Sequence, residues 1–296
     1  VWVWGYNNNG QLGLGNPGIN NSTDTSGGPT STAFYSANVT RPVRLPQSYF
    51  DGRQIVDMWV SGSEEAWFHC LDEQGQLWGW GHNQHGELGV GNRSGSYYYT
   101  HPQRIGINWN RYGGIKMYQT THSNGGHSCT HILDGEGYMW FTGYTTSGAW
   151  PIGSPGYTGT HHIGSFRREG HFLNGDIDYF WCGGDENKWL YIRQKSTGML
   201  WVHDGNYGTD GGRGQSVESN GYWYQSGGHP GSFIHMKGPK WAVNVCDVGM
   251  SRADGSYMYS FPMILDDEGL IWGGAPYSNN EHGMGGDSSN SDQWTN

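Results

Sequence analysis

Three metal-binding side chains alternate in one short stretch of this sequence, HSCTH at 127–131. His127, Cys129 and His131 stand two residues apart, and residues with this spacing share one face of a β-strand. Imidazole and thiolate groups are ligands of zinc, but zinc sites usually draw their ligands from more than one element. We therefore interpret the triplet as part of a strand and expect no metal cofactor.

A stretch near the end of the chain has loose calcium-ligand spacing at Asp287, Asn290 and Asp292. It lacks the central Gly and the twelfth-position Glu of a calcium-binding loop, which argues against calcium. No G-x-S-x-G, H-E-x-x-H or phosphate-binding Gly loop occurs in the sequence. We therefore expect no catalytic residues and no enzymatic activity. Separately, we predict that His161 and His162 lie in a solvated loop rich in Gly and Thr.

The four cysteines are far apart and form no C-x-x-C pair: Cys70, Cys129, Cys182 and Cys246. Their neighbours are those of strand interiors, and free cysteine is among the most buried residue types. A disulfide framework belongs to small, cysteine-dense chains, so we expect buried free thiols.

Composition separates this chain from disordered proteins and from nucleic-acid binders. Among 296 residues there are 52 Gly, but also 16 Trp and 19 Tyr, which supply enough apolar surface for a sizeable core. The net charge of −10 lacks the basic surplus that phosphate contacts require. No run of about 18 apolar residues is present, so we expect no membrane insertion.

One unusual phrase occurs twice, as VWVWGYNNNGQLGLGN at 1–16 and LWGWGHNQHGELGVGN at 77–92, and nine of the sixteen positions are identical. Further along the chain, turns that contain Asp and Gly or Ser and Gly recur, and in each case a Trp lies three residues after the Gly. These Trp residues and the Trp of the opening phrase mark one repeat position, which we assign to the packed core: Trp2, Trp78, Trp140, Trp201 and Trp272.

Short apolar stretches surround each turn and predict about four strands per repeat. Two strands joined by a short Asp/Gly turn form a hairpin, and another strand precedes it at 55–60, 115–120, 176–181 and 241–248. A fourth extended piece follows at 41–46 and 101–105. Repeated four-stranded units are typical of a β-propeller, whereas the rungs of a parallel β-helix are far shorter.

We therefore predict an all-β fold, a β-propeller of four-stranded blades with long inserted loops, in a single domain over 1–296. The repeat units are approximately 1–76, 77–138, 139–199, 200–270 and a partial unit 271–296. Both ends carry the same part of the repeat, so they do not complete each other, and we expect the chain to be part of a larger polypeptide.

The phrases GGHSCTHILDGEG (125–137) and WGHNQHGELGVGN (80–92) resemble repeats of the regulator of chromosome condensation family. The family pattern has three parts. The first part is matched by His127, Ser128, Leu133 and Gly137, and the third by Pro42 and Pro102. The second part is matched by Trp4, Gly5, Asn7, Gly10, Gln11, Leu12, Gly13 and Gly15. The resemblance is strong over 1–16 and 55–137, moderate over 241–286 and weak over 150–240. Where the family has a second Trp, the later repeats have Thr142, His203 and Gly274.

The resemblance implies a propeller and, among functions, a guanine-nucleotide exchange or chromatin-type factor. The acidic balance argues against that function. We instead favour a non-catalytic binding or structural module, extracellular or on a virion surface such as a phage tail or capsid, where it could contact other subunits of a larger assembly. The sequence is also compatible with a carbohydrate-binding propeller and with a secreted protein inhibitor.

Insertions between the predicted strands, at 16–41, 92–114, 149–172 and 204–240, are rich in aromatic, Ser, Gly and Asn residues. Loops on a rigid scaffold often carry binding sites, and these residue types are typical of adaptable binding surfaces. The competing interpretation is that the aromatic residues hold their own loops in place. As contacts for a protein or glycan partner we select Tyr98, Tyr99, Tyr222, Trp223 and Tyr224.

The charge balance makes a first prediction, that the purified chain does not bind duplex DNA at physiological salt. With Lys and Arg at 16 against Asp and Glu at 26, counterion release contributes little to association. A gel-shift titration checks this, and a clear, salt-sensitive shift would contradict it.

Overall fold

The computed structural model describes residues 1–7, 10–15, 38–62, 66–91, 98–121, 128–145, 161–168, 174–183, 189–198, 200–204, 234–235, 242–250, 259–274 and 294–295. These residues form β-strands, turns and two short 3₁₀ segments, and they contain no α-helix. Within them, no helix has the length and apolar character needed to cross a bilayer.

The strands form one two-stranded sheet and four four-stranded sheets. The two-stranded sheet pairs β1 (Trp2–Gly5) with β2 (Val39–Arg44). The second sheet contains β3 (Ile55–Ser61), β4 (Trp67–Asp72), β5 (Gln76–His82) and β6 (Tyr98–Asn108). The third contains β7 (Ile115–Thr121), β8 (Cys129–Asp134), β9 (Met139–Thr145) and β10 (His161–Arg168).

The fourth sheet contains β11 (Ile177–Gly183), β12 (Trp189–Gln194), β13 (Leu200–Asp204) and β14 (Ile234–His235). The fifth contains β15 (Ala242–Met250), β16 (Tyr259–Asp266), β17 (Ile271–Gly274) and β18 (Trp294–Thr295). Within each four-stranded sheet the strands lie side by side in sequence order, as expected for hairpins joined in series.

The chain divides into two compact units. One comprises Val1–Glu136, Trp140–Tyr144 and His161–Arg167, and the other comprises Gly137–Met139, Thr145–Thr160 and Arg168–Asn296. The single predicted domain stays a prediction. The four-stranded sheets cross the predicted repeat boundaries, because the sequence repeat begins at the third strand while each sheet begins at its first.

A hydrogen bond from the repeat Trp explains why an Asp and a Trp recur six residues apart. The indole Nε1–H of Trp78 donates to Asp72 Oδ2 at 3.0 Å, and that of Trp140 donates to Asp134 Oδ2 at 2.7 Å. The other oxygen of Asp72 accepts the backbone N–H of Gln74 and of Gln76 at 2.9 Å each. One carboxylate therefore closes the hairpin turn and satisfies the buried indole.

These hydrogen bonds also set the ionisation of Asp72. Burial acts to raise the pKa of its carboxyl group, but hydrogen bonds from Trp78, the Gln76 N–H and Arg53 outweigh burial and hold the pKa below its ordinary value. The guanidinium of Arg53 lies 3.1 Å from Asp72 Oδ2. The carboxylate is thus charged at neutral pH and holds both the turn and the Trp.

Trp78 and Trp140 each pack against a second aromatic ring, which meets the indole edge-on and comes from the 3₁₀ segment that follows the preceding sheet. Phe50 belongs to the segment Gln47–Phe50, and its ring centroid lies 5.8 Å from that of Trp78 with an angle of 87° between the ring planes. Trp109 belongs to the segment Trp109–Tyr112, and its ring centroid lies 5.5 Å from that of Trp140 with an angle of 80° between the planes. Edge-to-face pairs of this kind add to the free energy of apolar burial. Trp109, expected to belong to an inserted loop, therefore serves in core packing.

Trp2 occupies the repeat position and was predicted to lie in the core, but this prediction is wrong in this structure because the side chain is exposed. Trp2 pairs across its sheet with Arg44, as Trp78 pairs with Arg104, yet Trp2 is 58% exposed and Trp78 only 4%. The cause is the strand on the other side: β5 lies between β4 and β6, whereas β1 pairs with β2 alone. The described sheet offers the indole no strand equivalent to β4, which supplies the Asp that Trp78 contacts.

The remaining repeat Trp residues differ in their surroundings. Trp140 is buried at 8% exposure, and Trp201 is half-buried with its Nε1–H donating to Gln194 Oε1 at 3.2 Å. Trp272 lies on β17, and its side chain is outside the described part of the chain.

Glycines of the repeated phrase allow the backbone to approach aromatic rings of the next sheet. A Cβ on Gly13 would lie 2.6 Å from Trp80 Cδ1, and one on Gly89 would lie 2.5 Å from Phe166 Cδ2. Both glycines have positive φ, 74° and 70°, which disfavours any other residue. The phrase recurs because the same close approach recurs.

Cys70, Cys129 and Cys182 are buried and form no disulfide. The side chain of Cys246, on β15, lies outside the described part of the chain.

A second prediction compares two Trp residues that share the repeat position. Trp78→Ala removes a buried indole together with its hydrogen bond to Asp72, so we expect a loss of about 3–5 kcal/mol in the free energy of unfolding. Trp2→Ala removes an exposed indole and should change stability by about 0.5 kcal/mol or less.

Denaturant unfolding of both variants beside the parent chain measures the difference. Equal effects of the two substitutions would show that burial between sheets does not determine the contribution of the repeat Trp.

Candidate functional site

Two buried histidines occupy the same place in successive repeats, three residues before the turn Asp. Leu88 O accepts from His69 Nε2 at 3.1 Å, so Nδ1 accepts from the Tyr118 hydroxyl at 2.7 Å. Burial lowers the pKa of His69 to about 4 and that of His131 to about 3. Both rings are fully buried and neutral, and His69 bridges neighbouring elements, which is a structural role rather than proton transfer to a ligand.

Among the described residues, a group of polar and aromatic side chains lies where β5 and β9 end and β6 and β10 begin. We call it the rim cluster, and its members are His82, His85, Glu87, Tyr98, Tyr144 and His162. Ring centroids are 5.1 Å apart for His82 and Tyr98, for His85 and Tyr144, and for Tyr144 and His162. All six residues belong to the first compact unit.

A buried acid–imidazole pair forms the inner part of the rim cluster. His82 Nδ1 contacts Glu87 Oε1, and both side chains are excluded from solvent. The second carboxylate oxygen accepts the backbone N–H of His85 at 2.8 Å. Glu87 thereby fixes the turn between β5 and the phrase GELG, because both of its oxygens are directed at groups of the same turn.

Two imidazoles form the outer part. His85 Nδ1 lies 3.1 Å from His162 Nδ1, and the rings are nearly parallel with centroids 4.9 Å apart. His85 is buried and His162 half-buried, as are Tyr98 and Tyr144. The cluster thus presents partly accessible rings above the fully buried His82 and Glu87 side chains.

The backbone of the same connection is held against β10. Gly91 N–H donates to Gly164 O at 2.7 Å, and Val90 forms an isolated antiparallel bridge with Ser165. Thr142 Oγ1 lies 2.7 Å from Gly86 O and 2.6 Å from Ile163 O. Thr142 stands where the family pattern has Trp, so a hydroxyl replaces the ring and bridges the two backbones.

The two described residues among the selected binding residues face opposite sides of one strand. Tyr98 and Tyr99 lie on β6 rather than in a loop, and adjacent strand residues point to opposite faces. Tyr98 contacts His82 in the rim cluster, whereas Tyr99 packs beside the core formed by Val3, Trp78 and Trp80. Burial raises the pKa of Tyr99. Tyr222, Trp223 and Tyr224 lie outside the described residues.

Sequence reasoning missed His82, His85, Glu87, Tyr144 and His162. His162 was expected in a solvated loop but lies on β10, half-buried. A signal was present in the repeated phrase, since the two copies differ at both members of the acid–imidazole pair: Tyr6 stands for His82, and Gln11 for Glu87.

Metal binding has no support in this region. Among the described residues, no three or more His, Cys, Asp and Glu side chains are arranged to hold a metal ion. His131 and Cys129 are buried on β8, while His127 and the stretch with Asp287, Asn290 and Asp292 lie outside the described residues.

The beginning of the chain matches a known sequence family. Residues 1–57 match the regulator of chromosome condensation (RCC1) repeat. This confirms the resemblance of the opening phrase to that family. The hydrogen bond from Leu12 N–H to Asn7 Oδ1 and its counterpart from Leu88 N–H to Asn83 Oδ1 show how the Asn and Leu of the RCC1 repeat interact in this chain.

Solved structures with the same architecture share little sequence with this chain. Human WBSCR16 is 13% identical with a TM-score of 0.55, and yeast RCC1 (Prp20), in complex with Kap60, is 16% identical with a TM-score of 0.54. Each match covers 94% of this chain, which spans 57% and 52% of those two chains. The likeness confirms the predicted fold, a β-propeller of four-stranded blades.

The buried histidines generate a third prediction, that stability falls as the pH falls from about 6.5 toward 4. His69 and His131 have lowered pKa values in the folded state, so in this range the unfolded chain binds protons that the folded chain does not. Each contributes a slope of up to about 1.4 kcal/mol per pH unit, and this stabilisation is complete above the unfolded pKa and lost below it.

Urea unfolding between pH 7.5 and 5 measures this slope. His69→Gln keeps a donor for Leu88 O and an acceptor for Tyr118 but does not titrate, so it should flatten the slope. An unchanged slope in this variant would contradict the assignment of His69 as a buried neutral ring.

Proposed function

We propose that this chain is a non-catalytic protein-binding module, and that its partner contacts the surface of the rim cluster. The observation that carries this proposal is the separation of aromatic residues into two groups. The repeat residues Trp78, Trp80 and His69 are buried in packing, whereas Tyr98, Tyr144 and His162 remain half-exposed together at one rim.

The chemistry of the rim suits a protein surface. Tyrosine and histidine rings offer large contact areas with few torsions to freeze, and each carries a polar atom for hydrogen bonding. The buried Glu87–His82 pair beneath them fixes the backbone of the turn, so the rings are positioned before a partner arrives. Pre-organisation of this kind reduces the entropy lost on association.

Two further observations support a protein partner. Yeast RCC1 (Prp20), which has the same fold, occurs in a structure bound to the protein Kap60. The net charge of −10 disfavours nucleic acid as the ligand. Neither observation names the partner of this chain.

The finer parts of the function stay predictions from composition. They are an extracellular or virion-surface location, contact with other subunits of a larger assembly, and carbohydrate binding through aromatic loops. Binding of the purified chain to a glycan array, with loss in Tyr98→Ala, would favour a carbohydrate ligand over a protein partner.

A fourth prediction tests the rim directly. A photoreactive phenylalanine derivative at position 98 identifies the protein that contacts the rim, and the affinity of that purified protein is then measured for variants. Tyr98→Ala and Tyr144→Ala should each weaken binding by about tenfold or more, since truncated aromatic contacts typically cost above about 1.4 kcal/mol at a binding centre.

The matched control is Tyr6→Ala, because Tyr6 is an exposed Tyr outside the rim cluster and stands at the position of His82 in the other copy of the phrase. It should leave the affinity unchanged. If Tyr98→Ala lowers the melting temperature without changing the affinity, the rim serves only its own packing.

A further inference from the structure

We infer that His85 and His162 form a proton-operated latch, which holds the turn at 83–87 against β10 near neutral pH and releases it in mild acid. The inference rests on the proposed binding function of the rim, because the latch sets the shape of that surface. Its physical basis is the contact between two Nδ1 atoms at 3.1 Å.

Two imidazole nitrogens at hydrogen-bonding distance restrict the protons that the pair can carry. One Nδ1 must donate a hydrogen and the other must offer its lone pair, so at least one ring is neutral. When both rings are protonated, both Nδ1 atoms carry hydrogen, neither accepts, and two positive charges face each other. Acid therefore drives the pair toward a state in which no hydrogen bond joins the two Nδ1 atoms.

The carboxylate of the rim cluster is already engaged by other groups. Glu87 directs one carboxylate oxygen to His82 and the other to the backbone N–H of His85. From the other elements, Tyr98 of β6 faces His82, Tyr144 of β9 faces both latch rings, and Cys129 of β8 donates its thiol to Tyr144 O. Among the described residues, His82 and Glu87 are the imidazole and carboxylate neighbours whose effect a test must separate from that of the pair.

The rest of the connection is held by bonds that do not titrate in this range. Gly91 N–H donates to Gly164 O, and Leu88 N–H donates to Asn83 Oδ1. Thr142 Oγ1 also stays 2.7 Å from Gly86 O. Release of the latch is consequently local: the turn loosens at His85 while Gly86 and the strands on either side keep their contacts. Since Tyr144 touches both His85 and His162, loosening changes the position of a ring at the proposed binding surface.

Hydrogen exchange of the whole chain, followed by mass spectrometry at pH 7.5 and pH 5.5, tests the latch without a partner. After correction for the intrinsic exchange rates, amides of 83–88 should exchange about tenfold faster at pH 5.5 in the parent chain. His162→Asn should remove most of this difference, because its amide can donate to His85 at one pH and accept from it at the other.

The companion variant His85→Asn should behave in the same way, which keeps the test valid if one substitution prevents folding. Acid effects through His69 and His131 are common to all variants and act on the whole unit, so they leave the comparison of the turn with the strands intact.

Equal loosening in the parent and both variants would assign the effect to Glu87 and His82 and overturn the latch, as would pH-independent exchange in the parent chain. Loss of the proposed function is separable, because partner affinity in Tyr98→Ala does not depend on the exchange result.

Discussion

In the second and third sheets the structure depends on one requirement: the buried indole N–H of the repeat Trp, Trp78 or Trp140, must find an acceptor. The repeat meets it with the hairpin turn itself, since Asp72 and Asp134 accept from Trp78 and Trp140 with the oxygens that the turn leaves available. The distance along the chain from Asp to Trp then follows from the length of the turn. The edge-on ring from the preceding sheet, Phe50 or Trp109, fills the remaining face of the indole.

The fourth sheet shows that the requirement concerns the acceptor and not the residue type. Gln194 stands at the position of the turn Asp and accepts from Trp201, and its amide donates to Asp176 Oδ2 at 2.8 Å. Asp176 also accepts the backbone N–H of Ser196 at 2.8 Å, so a carboxylate from the start of the sheet now closes the turn. Burial acts to raise the pKa of Asp176, but hydrogen bonds from Ser196 and Gln194 keep it below its ordinary value. The residues change while the form of the polar network is kept.

Much of the fold could be predicted because its signals are local. Strands, hairpin turns and the RCC1 resemblance are all written within a few consecutive residues, and the strands expected at 55–60 and 115–120 are β3 and β7. The rim cluster could not be found in this way, since its contact between His85 and His162 joins residues 77 positions apart. Trp2 shows the same limit: its own sequence context matches Trp78, but its burial depends on a strand that its described sheet lacks.

The edge of β1 that faces away from β2 is open in the described structure. Its backbone N–H and C=O groups on that side have no strand partner in the described structure, and Trp2 and Trp4 are 58% and 60% exposed beside them. Trp80, at the position of Trp4, is instead buried and stacked on Phe68 of the neighbouring strand at 5.3 Å. An unpaired edge with apolar side chains is a template for adding another strand. The side of β1 away from β2 therefore favours pairing with a further strand, which would cover Trp2 and Trp4 as β4 covers Trp78 and Trp80.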